Sequence, residues 1–228
     1  MDADYKGMVG DRKNRGEAPR RALLLDIMDT VVVDPFFHGG IEDFFGLSLS
    51  ELYAAIRPGL WVAFEHGEVD EDEYYRRFFA DGRGVDGAAL LQWMRDGYRI
   101  VDGMVELMSE LRAEGIPMYA LSNYPVWWRE IEATLTLSRW LQWRFVSCMT
   151  GVRKPDPRSY TGAADALGLQ TSACFFVDDR RSNVDAAVDT GMQGAVFSDA
   201  ASLRQALVEA GYLPTANRKN IEIGATTP

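Results

Sequence analysis

Three apolar runs in this 228-residue chain stop on residues able to handle an anion or a metal. Ala22-Leu23-Leu24-Leu25 stops on Asp26, Ile116 to Leu121 on Ser122-Asn123, and Cys174 to Val177 on Asp178-Asp179. A fourth run, Phe145 to Cys148, is followed a few residues on by Lys154, in Lys154-Pro155-Asp156-Pro157. The three carboxylates make a hard-oxygen set suited to Mg2+, which takes few protein ligands and keeps waters and phosphate oxygens. Lys154 supplies a second positive charge that can hold both Asp26 and a phosphoryl group. Ser122 can donate to a phosphoryl oxygen. Asp26 can then attack phosphorus in line and form an aspartyl-phosphate.

These residues act together only if the chain brings the four ends to one crevice. Continuous apolar runs predict strands buried on both faces of a parallel sheet, and Ala195 to Phe197 adds a fifth. Helix-period segments lie between them: Met104 to Glu114, Pro125 to Leu135, Pro157 to Leu167 and Ser182 to Thr190. Gly115, Gly168 and Gly191 close the first, third and fourth, as glycine does just past a helix end. The alternation predicts an α/β class, a Rossmann-like doubly wound parallel sheet, with ligands beyond the carboxyl ends of its strands.

One region breaks the alternation. Pro35 to about Tyr98 has no strand-like run and is rich in aromatics and acids, with Tyr74, Tyr75, Phe78 and Phe79 at helical spacing. It reads as an all-helical module inserted after the first strand, with a turn at Asp81-Gly82-Arg83-Gly84 and Asp86-Gly87. The expected organisation is a tail over 1–21, a core over 22–33 and 99–212, the helical insert over 34–98, and a polar tail over 213–228.

Composition narrows the partners. A net charge of -10 argues against a nucleic acid partner, which favours basic surfaces. It also requires that an anionic substrate be met by a local metal or lysine. Cys148 and Cys174 lack any partner spacing and are expected to be buried thiols of a reducing compartment, not a disulfide or a zinc site. No apolar stretch reaches the roughly 20 residues that span a bilayer, so no membrane partner is expected. Met1 to Arg21 has no apolar core of a signal peptide. With Asp2, Asp4, Asp11 and Glu17 it does not look like an intact transit peptide either. The oligomeric state is left open.

Taken in order, Asp26-Ile27-Met28-Asp29-Thr30, Leu121-Ser122-Asn123, Lys154 and Phe176-Val177-Asp178-Asp179 resemble the four signature motifs of the haloacid-dehalogenase-like superfamily. The likeness covers about Ala22 to Ser198. It implies that Asp26 is nucleophile and metal ligand, that the Met28 carbonyl and the Asp178-Asp179 pair complete a Mg2+ site, directly or through water, and that Ser122, Asn123, Lys154 and Thr30 hold the phosphoryl group. It also implies that the helical insert is a cap that covers the site and selects substrates. A closer likeness adds Asp34-Pro35-Phe36-Phe37, Trp61 to Glu68, Phe78 to Arg83, Ser122 to Pro125 and Arg153 to Pro157. These segments resemble plant chloroplast flavin mononucleotide hydrolases, which implies hydrolysis of flavin mononucleotide (FMN) to riboflavin and phosphate, and a stromal location in place of a cytoplasmic one. The alternative substrates are other small sugar or nucleotide phosphates.

The family's phosphatases usually carry a second aspartate two residues after the nucleophile, acting as general acid and base. Here that residue is Met28, and loss of a general acid typically costs about 10²–10⁴ in rate. Either Asp29, Asp34 or a metal-bound water supplies the proton, or the leaving group needs little, or the chain is a weak enzyme kept as a binding or scaffold protein. The dehalogenase branch also lacks this aspartate, but it needs no metal and would not be expected to keep the Asp178-Asp179 pair. The aromatics Phe44, Phe45, Trp61, Phe64, Tyr74, Tyr75, Phe78 and Phe79 are expected to form mostly the core of the helical insert, and Trp127 and Trp128 to pack. His38 and His66 have no metal-ligand spacing; His38 is at best a substrate contact. Glu68, Asp70, Glu71, Asp72 and Glu73 read as a solvated helix start.

Overall fold

The computed structural model describes residues 21–215. The two expected tails lie almost wholly outside these residues. In chain order the elements begin with β1 (Ala22–Leu25) and β2 (Val32–Val33). Six helices follow: α1 (Pro35–His38), α2 (Ile41–Phe45), α3 (Leu49–Ala55), α4 (Leu60–Glu65), α5 (Glu71–Arg77) and α6 (Gly87–Gly97). The chain then returns through β3 (Arg99–Ile100), α7 (Met104–Ala113), β4 (Met118–Ser122), α8 (Trp128–Leu135), β5 (Leu141–Val146) and α9 (Ser147–Thr150). It ends with α10 (Pro157–Leu167), β6 (Cys174–Asp178), α11 (Arg181–Asp189), β7 (Gln193–Val196) and α12 (Ala200–Glu209).

The main sheet is parallel throughout, in the order β5-β4-β1-β6-β7. β1 is central and fully buried along its length, which is why its sequence is continuously apolar. Its side chains alternate between two cores. Leu23 and Leu25 pack on one face with Met104, Leu107 and Leu203, from α7 and α12. Ala22 and Leu24 pack on the other with Tyr160, Ala163 and Val184, from α10 and α11. Burial of each leucine contributes about 1.5–3 kcal/mol. The first core is continuous with that of the inserted helices, through Phe64, Tyr74, Phe78, Leu90 and Met94, so the insert is packed against the sheet.

Several boundaries differ from the sequence expectation: β4 is Met118–Ser122, not Ile116 to Leu121, and β7 is Gln193–Val196, not Ala195 to Phe197. The third strand is Leu141–Val146, not Phe145 to Cys148. It is an edge strand whose exposed Gln142 and Arg144 interrupt the apolar run that marks buried strands, while Ser147 and Cys148 turn into α9. Helix α8 begins at Trp128, because Pro125 to Trp127 form a turn. The stretch around the insert is not free of strand. β2 and β3 pair antiparallel at its two ends, Val32 with Ile100 and Val33 with Arg99, a ladder too short to leave a period-2 signal. The cysteines are free, with Cys174 buried but Cys148 only half-buried, since α9 lies at the sheet edge.

Local signals explain the insert's helices. Asp34, Ser48, Asp70 and Asp86 each cap one by accepting from a backbone N–H at its start, worth about 1 kcal/mol apiece. Asp70 caps α5 inside the acidic run, as its helix-start character suggests. Gly67, after α4, is required twice over. Its φ is +73°, and a Cβ there would stand 2.9 Å from the Cys148 carbonyl oxygen, so only glycine lets the insert approach α9 this closely.

Candidate active site

The carboxyl ends of β1, β4 and β6 and the loop after β5 meet at one point. Lys154 is its hub. Its Nζ donates to Asp26 Oδ1 at 2.7 Å and to Asp178 Oδ2 at 2.6 Å, and the lysine is 2% exposed. An ammonium has three N–H donors, so one remains uncommitted. Burial pushes the ammonium pKa down, but Asp26 and Asp178 more than offset it and leave it above its ordinary value. The backbone of Lys154 is held by Asn123, at the end of β4. Asn123 Oδ1 accepts from Lys154 N at 2.7 Å, and Asn123 Nδ2 donates to Lys154 O at 2.9 Å. Asn123 borders the cavity described below, and positioning Lys154 leaves one of its two amide N–H donors over.

Asp26 follows directly on β1 and is 7% exposed. Its pKa is pushed up to about 6, because burial outweighs the pull of Lys154 and because Asp178 and Asp179 add repulsion. Asp179 is raised too, by burial and then by Asp178. One oxygen from each of Asp26, Asp178 and Asp179 lies within 4.8 Å of the others. Asp178 is fully buried and saturated. Its Oδ1 accepts from Arg180 N and Asn183 Nδ2, and its Oδ2 from Asn183 Nδ2 and Lys154 Nζ. Asn183, early in α11, went unremarked in the sequence; its only signal was a polar side chain one turn after the carboxylate pair.

Thr30 and Ser122, next to the ends of β1 and β4, do not line the cavity described below, but both are buried. Ser122 Oγ and Thr30 Oγ1 have no hydrogen-bond partner among the described residues, a costly condition for a buried polar group. Asp29 adopts a left-handed backbone, φ +54°. Its Oδ1 accepts from Asp34 N at 3.0 Å and lies 3.2 Å from His38 Nε2, so His38 meets Asp29.

Above the floor a cavity of about 470 Å³ opens between core and insert, within the range of small-ligand sites. It is bordered by Asp26, Met28, Asp34, Lys154, Asp179 and Arg180 on the core side and by Trp61, Tyr74 and Phe78 from the insert. Phe64, Tyr74, Phe78 and Phe79 are buried against one another. Phe44, Phe45, Trp61 and Tyr75 are partly buried around them. Trp127 is buried, with its indole N–H on Glu71 and Tyr75.

A second contact ties insert to core beside Lys154. Glu65 of α4, 5% exposed, accepts from the Trp61 indole at 2.7 Å and from Arg153 Nη2 at 2.8 Å. Burial raises the Glu65 pKa and Arg153 opposes the rise. The Glu65 carbonyl accepts from Ser147 Oγ at 2.6 Å.

Asp34 gives a pH prediction. Burial raises its carboxyl to about 6, against the lowering effect of the Phe36 N–H it accepts. A carboxyl raised in the folded state contributes stability that is complete below its unfolded pKa near 3.8 and is lost as pH rises through about 6. Asparagine caps as well as aspartate and carries no charge. Asp34→Asn is therefore expected to be more stable than the parent at pH 8 and to lose that advantage by pH 4, by denaturant titration at both. An advantage unchanged with pH would contradict the burial assigned here.

The chain is similar to known proteins in both sequence and fold. The sequence pattern of the haloacid dehalogenase-like hydrolases matches residues 21–191. The chain is 43% identical over 189 residues to flavin mononucleotide hydrolase 1, a chloroplast protein of Arabidopsis thaliana, covering 83% of this chain and 77% of that one. It is 29% identical over 160 residues to a sesquiterpene phosphatase of Aspergillus oryzae, covering 67% of this chain and 80% of that one. The fold resembles a haloacid-dehalogenase family enzyme of Bacteroides thetaiotaomicron solved with magnesium and inorganic phosphate, with a TM-score of 0.64 at 18% identity, covering 80% of this chain and 98% of that one.

Proposed function

The chain belongs to the haloacid dehalogenase-like hydrolases, and we propose that it hydrolyses FMN to riboflavin and phosphate through an aspartyl-phosphate on Asp26, with Mg2+ as its cofactor. The observation that carries the reading is the Asp26–Lys154–Asp178 hub at the floor of a closed-over cavity. The choice of FMN rests on the Arabidopsis relative. Its name also supports a chloroplast setting; no described helix is long and apolar enough to cross a membrane.

The donor set fits a hard divalent cation. Asp26 and Asp179 offer oxygens to it, the Met28 carbonyl accepts no hydrogen bond among the described residues, and Asp178, already saturated, serves directly or through water. When bound, Mg2+ supplies charge neutralisation to the nucleophile and the phosphoryl oxygens.

The protein's own groups do the rest. Lys154 keeps Asp26 oriented and turns its remaining N–H to a phosphoryl oxygen. The partnerless hydroxyls of Ser122 and Thr30 donate to the others. Asp26 attacks phosphorus in line, the alcohol leaves with a proton, and water then attacks phosphorus, returning the carboxylate and releasing phosphate. Met28 carries no proton. Of the carboxyls around the cavity, Asp34 is best suited to deliver one. It borders the cavity, only one of its oxygens accepts a described hydrogen bond, and its pKa near 6 keeps part of it protonated at neutral pH. Asp34→Asn should lower turnover of FMN by about 10²-fold, yet leave p-nitrophenyl phosphate, whose leaving group needs no proton, much less affected. Equal losses on both substrates would remove Asp34 from this role.

The direct test is phosphate release from FMN and a panel of sugar and nucleotide phosphates, with Mg2+ and with chelator. Metal-dependent release, fastest from FMN, is expected. No metal-dependent release from any of them would overturn the enzymatic reading and leave the binding-protein alternative.

A further inference from the structure

Among the described residues six large hydrophobic side chains are exposed: Phe37, Tyr53, Val62, Val105, Met149 and Val188. Isolated exposed apolar residues are ordinary, but these are not evenly scattered. Phe37, Tyr53 and Val62 all border the cavity. Phe37, on α1, is 47% exposed and Tyr53, on α3, is 50% exposed. Their rings lie nearly parallel, 27° apart in plane with centroids 6.5 Å apart. Phe36 braces both, edge-on to Phe37 at 5.5 Å and tilted to Tyr53 at 6.3 Å. The insert's other aromatics at the cavity, Phe36, Trp61, Tyr74 and Phe78, are partly or fully buried, so these two are the most exposed rings there.

Beside them stands Arg180, whose charge pulls down the carboxyls of Asp34, Glu65 and Asp179 against their larger rise from burial. The Arg180 side chain borders the cavity and makes no hydrogen bond or ion pair among the described residues. The other two arginines that line it are engaged, Arg57 with the Arg77 and Phe79 carbonyls and Arg153 with Glu65. Asp26 and Lys154 lie in the same cavity. It is therefore anionic-substrate chemistry at the floor and flat apolar surface at the mouth, with a guanidinium nearby whose N–H groups make no described hydrogen bond and can stack on a ring or hold a polar ring edge.

We propose that Phe37 and Tyr53 form a stacking face that selects phosphomonoesters whose alcohol carries a flat fused ring. Two exposed aromatic rings can each bury a large apolar area against such a ring, and an aromatic pair adds about 0.5–1.5 kcal/mol beyond that area. A non-aromatic terpene alcohol, the class in the name of the Aspergillus relative, gains apolar area but no aromatic stacking. Parallel rings favour the flat ligand. The inference rests on the phosphatase reading and adds to it which residues choose the substrate.

The experiment compares the ratio of kcat/KM for FMN to that for acetyl phosphate, which has no ring, in the parent, in Phe37→Ala/Tyr53→Ala and in Phe37→Leu/Tyr53→Leu. Farnesyl phosphate is a third substrate, and riboflavin binding is followed by flavin fluorescence. Both side chains are half-exposed, so their removal spares the core. The ratio should fall about tenfold or more in both variants, mainly through KM, and riboflavin quenching should weaken in parallel. A ratio within twofold of the parent in the alanine variant would overturn the proposal. So would recovery of the parent ratio with leucine, which would assign the effect to apolar bulk, or a preference of the parent for farnesyl phosphate over FMN. Absence of turnover by the parent on every substrate is the separate failure, of the phosphatase reading itself.

Discussion

Asp26→Asn should lower kcat/KM for FMN by about 10⁴-fold or more, because asparagine cannot form the covalent phosphoryl link and the remaining groups can only bind and polarise the substrate. The loss should come without a loss of fold. Asp26 is nearly buried and its charge is disfavoured there, by burial first and then by Asp178 and Asp179 despite Lys154. An uncharged side chain of the same shape therefore removes a strain on the folded state at neutral pH. Denaturant titration in chelator at pH 8 should find the variant at least as stable as the parent. A rate within tenfold of the parent would mean that some other group attacks phosphorus. A variant clearly less stable would mean that the hub depends on the Asp26 charge more than its raised pKa implies.

Lys154→Met should be damaging in both respects. The parent side chain is the shared cation of two buried carboxylates, at 2.7 and 2.6 Å. Removing one partner of a buried ionic cluster typically costs about 3–5 kcal/mol. Asp178 would keep its bonds to Arg180 N and Asn183, but Asp26 would lose its one described side-chain donor. Its pKa would rise further, and a protonated Asp26 is no nucleophile, so turnover should fall about 10³-fold or more. The pH dependence gives the sign. With its folded pKa driven further above the unfolded value, Asp26 contributes stability at low pH that is lost as pH rises through the folded pKa. The deficit of Lys154→Met against the parent should therefore widen from pH 5 to pH 8 in chelator. A deficit below about 1 kcal/mol, or one independent of pH, would show that the cluster is better solvated than its burial indicates.

Much of this site was visible in the order of residue types. Asp26, Ser122 and Asp178 each end a strand, and a strand buried on both faces announces itself by a continuous apolar run. Placing four such ends together needed only the rule that parallel α/β sheets gather their ligands at the carboxyl edge. Lys154 reaches Asp26 across 128 positions of sequence, which no local pattern predicts, and the fold supplies the meeting. What was hidden is hidden for physical reasons. β5 is half-solvated, so its polar residues erased the apolar signal, and β2 and β3 are too short to show a period. Helical spacing locates aromatics on a face but does not say which face meets a core and which a cavity. Phe64 and Phe78 are buried as expected of the insert's core, whereas Tyr53, which the sequence did not single out, and Phe37 are half-exposed. Asn183 and the Glu65–Arg153 pair depend on side chains meeting across elements. Asp34 was one of three proton sources that the sequence left open, and only its burial raises it to about 6.

The central claim is that Asp26 carries the phosphoryl group between two half-reactions. It is tested by mixing the protein and Mg2+ with FMN bearing a radioactive phosphate, quenching in acid within a single turnover, and locating the label by peptide mass spectrometry. The expected result is a hydroxylamine-sensitive label on the peptide containing Asp26, absent from Asp26→Asn. Phosphate released at the full rate with no labelled protein at any quench time, and a parent-like rate in Asp26→Asn, would contradict it.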